Sequence, residues 1–241
     1  GAPLSIPYSH TTLRIGRDRL ARIADACRCP VGLENLAFSY SLEQVKQHGA
    51  FLAQLLEPVN GFIILDLQNL YCQIHNFSIP YEEIINLYPL DLVREIHISG
   101  GSWEDSVLEP GRKIRRDTHD EAVPAAVFTL LEQTIDRCKN LKYVVLEQLG
   151  TGLASERSKQ QFYSDFLKLE KIVVEKNIGS SIPDSQAFLP APSSIAAYPA
   201  ENEGLYEQQL QLSHILESAT SYESAMQLLS ASLLAQSDWK I

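Results

Sequence analysis

The stretch VREIHISGGSW, residues 93–103, runs from apolar, β-branched residues to a histidine and then to two glycines. A short apolar run bounded by turn residues reads as a buried strand. His97 comes late in that run. Gly100 and Gly101 let the backbone turn sharply where no side chain fits. Three more runs of the same kind occur at CPVGLENL (29–36), GFIILDLQNL (61–70) and LKYVVLEQL (141–149). Helical patterns separate them. Residues 42–57 place Leu42, Val45, Leu52, Leu55 and Leu56 on one face, residues 81–88 are a shorter candidate, and 121–138 repeats the pattern with Val123, Val127, Leu130, Leu131 and Ile135. A further helix is expected over 155–176, with Phe162, Phe166, Leu169 and Val173 at helical spacing. Alternating strands and helices predict an α/β chain with a parallel sheet.

Each run ends in a residue able to bind a metal. The first ends in Glu34 and Asn35, the second in Asp66 with Asn69 one turn on, the third in His97 and the fourth in Glu147. In parallel α/β folds the functional face lies at the carboxyl ends of the strands, so the four βα units aim these side chains at one place. One acid at a strand end is commonly a helix cap or half of an ion pair, and one strand histidine is commonly a core residue. Four in four units point elsewhere. Three clustered carboxylates resist ionisation through desolvation and mutual repulsion, and a bound cation compensates both. Carboxylate and imidazole donors suit Fe, Mn or Zn, and no placed thiolates suggest an iron–sulfur cluster. RDTHDE (116–121) adds Asp117 and His119, which in an extended segment point to the same side. Asp120 reads equally as the N-cap of the following helix.

The net charge of −10 disfavours nucleic acid as a partner. The basic run GRKIRR (111–116) reads as a solvated loop. No run of about 18 apolar residues exists to span a membrane. Cys27, Cys29, Cys72 and Cys138 form neither a disulfide framework nor a zinc knuckle, so they read as reduced thiols of a cytoplasmic protein. Residues 179–200 are rich in Ser, Pro and Ala and read as a linker or arm. Beyond them, 203–218 and 221–236 read as two helices, with Thr220 and Glu223 fitting a capping box. Met226, Leu229 and Leu233 form an apolar stripe that faces either a core or a partner. The chain then runs out at Trp239, Lys240 and Ile241.

The ordered set GLENLAFSY, ILDLQNLY, VREIHISGGSW, DTHD and VLEQ resembles the multinuclear non-haem iron-dependent oxidases. That family, long carried as a domain of unknown function, includes the oxidases of methanobactin and 3-thiaglutamate biosynthesis. The resemblance covers about residues 1–150. It implies a TIM-type (β/α)8 barrel holding two or three iron ions, which uses O2 to oxidise cysteines of ribosomally made peptides, often presented by a separate protein. Of that barrel this chain shows the last four βα units. The expected organisation is a half-barrel over 1–178, a linker or arm over 179–202 and a helical extension over 203–241. Carried over by motif, Glu34, Asp66, His97, Asp117, His119 and Glu147 are the metal ligands, with Asn35 and Asn69 beside them. Three departures stand out. Gly101 stands where many members have a second histidine. His75-Asn76 reverses an Asn-His pair, so His75 reads as readily as a surface residue. The earlier strands, which supply further histidine ligands, are not visible, and His10 is no convincing substitute. Two other readings remain open: a divalent-metal isomerase or hydrolase on a similar barrel, and a non-catalytic half-barrel that dimerises or covers its open edge with the C-terminal helices.

Overall fold

A computed structural model describes residues 6–107, 109–177, 187–190 and 195–236. Residues 179–186 and 191–194 of the expected linker or arm, and Trp239–Ile241, lie outside the described residues. The chain opens with α1 (His10–Cys27), capped by Ser9, and continues through β1 (Gly32–Glu34), α2 (Leu42–Leu56), β2 (Phe62–Asp66), α3 (Leu67–Phe77), α4 (Tyr81–Ile85) and β3 (Val93–Ser99). A small hairpin of β4 (Trp103–Asp105) and β5 (Lys113–Arg115) follows, then α5 (Ala125–Thr134), β6 (Tyr143–Glu147), α6 (Glu156–Asn177), α7 (Glu203–Ser218) and α8 (Tyr222–Ser230).

Four strands pair in parallel in the order β1-β2-β3-β6, as the alternating pattern predicts. The sheet is open. The closed TIM-type barrel implied by the resemblance is not formed, because β1 and β6 have no strand on their outer edges among the described residues. One face carries Ile63, Leu65, Ile96 and Ile98, all fully buried against Leu67 and Leu70 of α3 and Val127 and Leu131 of α5. Each such side chain contributes about 1.5–3 kcal/mol of burial free energy. The other face carries Glu34, Asp66, Glu95, His97 and Glu147.

A register shift sets that division. Ile63 pairs with Val93 but Ile64 pairs with Glu95, so Arg94 is an extra residue in β3. With one extra residue, Val93 and Ile96 both reach the helix-covered core, and Asp66 comes opposite His97. Plain register would set Asp66 opposite Ile96 and turn His97 to the other face. Arg94 lays its guanidinium over Phe62 at 5.3 Å and over Phe188 at 6.0 Å.

Several sequence expectations change. The run 61–70 is strand only to Asp66, whose side chain accepts the Asn69 N–H and starts α3. Neither α3 nor α1 is evident in the apolar periodicity. Helix α5 starts at Ala125 rather than 121, because Pro124 holds an extended conformation at the N-cap; Asp120 is therefore not its cap. The basic run is no solvated loop, since Arg115 is buried in β5 between Tyr71 and Trp103. Phe166 and Leu42 are exposed, and α6 buries the expected Leu169 together with Ile172. Ser221, not Thr220, caps α8 by accepting the Ser224 N–H.

The described C-terminal residues pack back onto the sheet domain. The Phe188 ring packs tilted against Phe62, the Leu189 carbonyl accepts from Asn60, and Arg22 donates to the Ala196 carbonyl. Leu212, Ile215 and Leu234 close around Tyr40 and Leu229, while Leu233 is exposed. Among the described residues no helix is long and apolar enough to cross a membrane.

His48 on α2 ties down the loop that follows β1. Its Nε2 accepts the Leu36 N–H at 3.3 Å, so the neutral ring carries its proton on Nδ1, 2.5 Å from Tyr8 Oη. Burial pushes its pKa down to about 4. The unfolded chain, with an ordinary histidine, binds the proton first as pH falls. Stability from the neutral ring is therefore complete above about pH 6.5 and lost on descent toward pH 4. Wild type should lose roughly 3 kcal/mol relative to His48→Gln between pH 7 and pH 4, at 1.36 kcal/mol per pKa unit, measured by urea denaturation.

Candidate metal centre

The carboxyl ends of the four parallel strands converge. Glu34, Asp66 and Glu147 are the last residues of β1, β2 and β6, and His97 lies opposite Asp66. Glu147 sits opposite Ser99, on the same side of the sheet as His97 by the two-residue period. One potential ligand atom from each of Glu34, Asp66, His97 and Glu147 lies within 4.8 Å of the others, so these four could hold a metal ion.

Asp117 and His119 join this group from the loop after β5. His119 Nε2 is 2.7 Å from Asp117 Oδ1, and His119 Nδ1 is 3.5 Å from Glu147 Oε2. The segment is not extended, as the sequence reading expected. His119 has φ of 52°, in the left-handed region, and this turn brings the two side chains together. All six expected residues are thus in one place, linked through Glu147.

The two asparagines hold the acids. Asn35 Oδ1 accepts the Asp66 N–H at 2.7 Å while its Nδ2 donates to the Asp66 carbonyl at 3.0 Å. Asn69 Nδ2 donates to the Asn35 carbonyl at 2.9 Å and to Glu34 Oε1 at 3.3 Å. Asp66 Oδ1 accepts the Asn69 N–H at 2.6 Å. These bonds leave Asp66 Oδ2 and Asn69 Oδ1 buried without a hydrogen bond, while the buried Asp117 Oδ1 and His97 Nδ1 meet only their ion-pair neighbours His119 and Glu147. Buried polar atoms rarely go unpaired, and acceptor oxygens left so beside other carboxylates fit a cation.

The protonation pattern agrees. Burial raises Asp66 to about 8, the Asn69 N–H only partly opposing it, and burial likewise raises Glu34. Burial works against protonated His97, but its contacts with Glu147 and Glu95 outweigh this and lift it to about 9. Contact with Asp117 lifts His119 to about 9 as well. Glu147 is held low by His97. Without a cation these groups balance their charge with protons, and binding a metal to them releases those protons.

The two glycines are close-approach positions. A Cβ on Gly100 would lie 1.9 Å from the Glu121 carbonyl oxygen, and one on Gly101 2.1 Å from that of Arg116. They pin both ends of the loop that carries Asp117 and His119. His75 lies outside the cluster, its Nε2 3.1 Å from the Lys113 carbonyl and its ring against Trp103. His10 is exposed at the start of α1. Cys72 is buried near Gln68, and none of the four cysteines is in a disulfide. Glu95 escaped the sequence reading, although its spacing of two from His97 puts both on one strand face. A cleft of about 370 Å³ includes Asp120 and Gln148, next in sequence to His119 and Glu147, together with Gly152, Arg157 and Phe162.

A fold and site of this kind define an α/β protein with a candidate metal centre. More narrowly, the chain belongs to the family of RiPP precursor modification enzymes MbnB/TglH/ChrH, whose model matches residues 3–150; RiPPs are ribosomally made, post-translationally modified peptides. Curated relatives include a UPF0276 protein of Caulobacter vibrioides, 28% identical over 136 residues, which cover 56% of this chain and 46% of the relative. A UPF0276 protein of Anaeromyxobacter sp. is 31% identical over 135 residues, 55% of this chain and 44% of the relative. One of Acaryochloris marina is 28% identical over 137 residues, 56% of this chain and 46% of the relative. The chain spans about half the length of the curated relatives it matches.

Gly100→Ala should cost at least about 1–3 kcal/mol, the usual penalty for forcing atoms into a packed site. Because the obstacle is the Glu121 backbone, the loop must move, and zinc affinity measured by competition with a chromophoric chelator should fall along with the melting temperature.

Proposed function

We propose that this chain forms the metal-binding portion of an iron- and O2-dependent oxidase that modifies a cysteine of a ribosomally made peptide. The observation that carries the reading is the convergence of Glu34, Asp66, His97 and Glu147 around buried, unpaired polar atoms. Membership of the peptide-modifying family supplies the substrate class.

In this reading Glu34, Asp66, His97 and Glu147 would hold one ion, and Asp117 and His119 would hold another alongside Glu147. The resemblance implies two or three ions in the whole protein, and a TIM-type barrel to which these strands contribute four βα units. Bound iron would supply redox capacity that none of these side chains has, with the cysteine sulfur as electron donor and O2 as acceptor. Asn35 and Asn69 fix the positions of Asp66 and Glu34. Asp66, His97 and His119 give up the protons they carry in the metal-free state. The cleft beside Asp120 and Gln148 offers the peptide an approach, and a separate protein would present the peptide there. Unpaired thiols fit a cytoplasmic location.

Anaerobic loading with ferrous iron followed by elemental analysis tests this. At least one iron per chain is expected, with most of it lost in His97→Ala. Less than one iron per chain, unchanged by that substitution, would sink the proposal. Turnover with zinc or magnesium in the absence of O2 would favour isomerase or hydrolase chemistry instead.

A further inference from the structure

Glu95 belongs to none of the motif positions that the resemblance assigns to metal. It lies two residues before His97 on β3, so both side chains rise from the same face of the sheet. Its Oε1 is 2.7 Å from His97 Nε2. The other ring nitrogen, Nδ1, lies 3.0 Å from Glu147 Oε1 and makes no directed hydrogen bond. The imidazole is thus strung between two carboxylates with different tasks. Glu147 belongs to the four-residue cluster, whereas Glu95 does not.

From this geometry we infer that Glu95 is a positioning residue. By accepting the Nε2–H of His97 it fixes the ring tautomer and orientation that present the Nδ1 lone pair to a divalent cation among Glu34, Asp66 and Glu147. The inference rests on the proposed metal-binding reading of that cluster. An imidazole can bind a metal only through a nitrogen that carries no proton. A neutral histidine has one such nitrogen, and the hydrogen bond made by the other decides which. His97 emerges from a strand whose register is fixed, so the only freedom left to it is rotation about its side-chain bonds. Glu95 removes that freedom. It also adds electron density to the ring, which strengthens Nδ1 as a donor. Glu95 is half-buried, with 23% of its side chain exposed, and Ile96 between the two residues is fully buried on the opposite face. The β3 backbone therefore cannot shift to let another group take its place.

The test uses zinc alone as the probe, because it is diamagnetic. Zinc affinity is measured by chelator competition, and the His97 tautomer is read from two-bond ¹H–¹⁵N NMR correlations of the zinc-loaded protein. Wild type should show Nε2 protonated and Nδ1 bound. Glu95→Ala should weaken zinc roughly 10–100-fold, the usual effect of removing such a partner, and yield a mixed or inverted tautomer. Glu95→Gln retains an oxygen acceptor and should restore the wild-type tautomer and most of the affinity, which general structural damage at β3 would not allow. Wild-type affinity and tautomer in Glu95→Ala would overturn the inference while leaving the metal site standing. Equal loss in Glu95→Gln and Glu95→Ala, with the tautomer unchanged, would overturn it in favour of Glu95 as a direct ligand. No zinc binding by wild type would overturn the metal reading and this inference together.

Discussion

The pairing of β2 with β3 governs the rest of the molecule. One extra residue, Arg94, separates Val93, which faces the core, from Glu95, which faces the site. Side chains alternate along a strand, so a single-residue slip would exchange the two faces. The shift lets Val93, Ile96 and Ile98 all contribute to one apolar layer while Glu95 and His97 stand beside Asp66. The extra residue is itself secured. Its carbonyl accepts the Lys142 N–H at 2.8 Å, and its guanidinium lies across Phe62 and Phe188. The core and the candidate metal centre thus depend on the same irregularity.

Around that register, the site is built from groups that would be costly without a cation. Asp66 serves as the helix cap of α3 and as a cluster carboxylate at once, with one oxygen committed to the Asn69 N–H and the other unpaired. Asn35 and Asn69 bind backbone and carboxylate together, which makes β1, β2 and α3 a rigid frame at the strand ends. The loop carrying Asp117 and His119 is pressed against Gly100 and Gly101 so closely that no side chain could stand there. Rigid strand ends with one clamped loop are how a protein holds ligands at fixed distances.

The open sheet and the curated relatives bear on each other. The family match ends at residue 150, near the end of β6, and the aligned residues make up about half of each relative. On the side of β1, α1 takes contacts from the C-terminal residues, through Arg22 with the Ala196 carbonyl and Asp18 with the Ala200 N–H. Residues beyond the family match therefore form part of the surface of the matched region.

The sequence by itself determined the four parallel strands, helices α2, α5 and α6, and the placing of Glu34, Asp66, His97 and Glu147 at the strand ends. These were legible because buried strands are short apolar runs, and because a polar residue at the end of each such run is costly without a purpose. The apolar spacing in VREIHIS, three residues and then two, marks the register shift once the pairing is known. Alone it reads as an ordinary strand, since the extra residue exists only relative to β2. Helix α3 hid for a similar reason: LDLQNL continues the apolar run, and only the Asp66 cap turns it into a helix. Tertiary structure decided what needs two distant segments to meet. It set Asp66 opposite His97, bent the chain at His119 and buried Arg115 between two rings. It also placed Glu95 on the ring of His97, because hydrogen bonds and close contacts depend on distances in space that spacing along a chain does not encode.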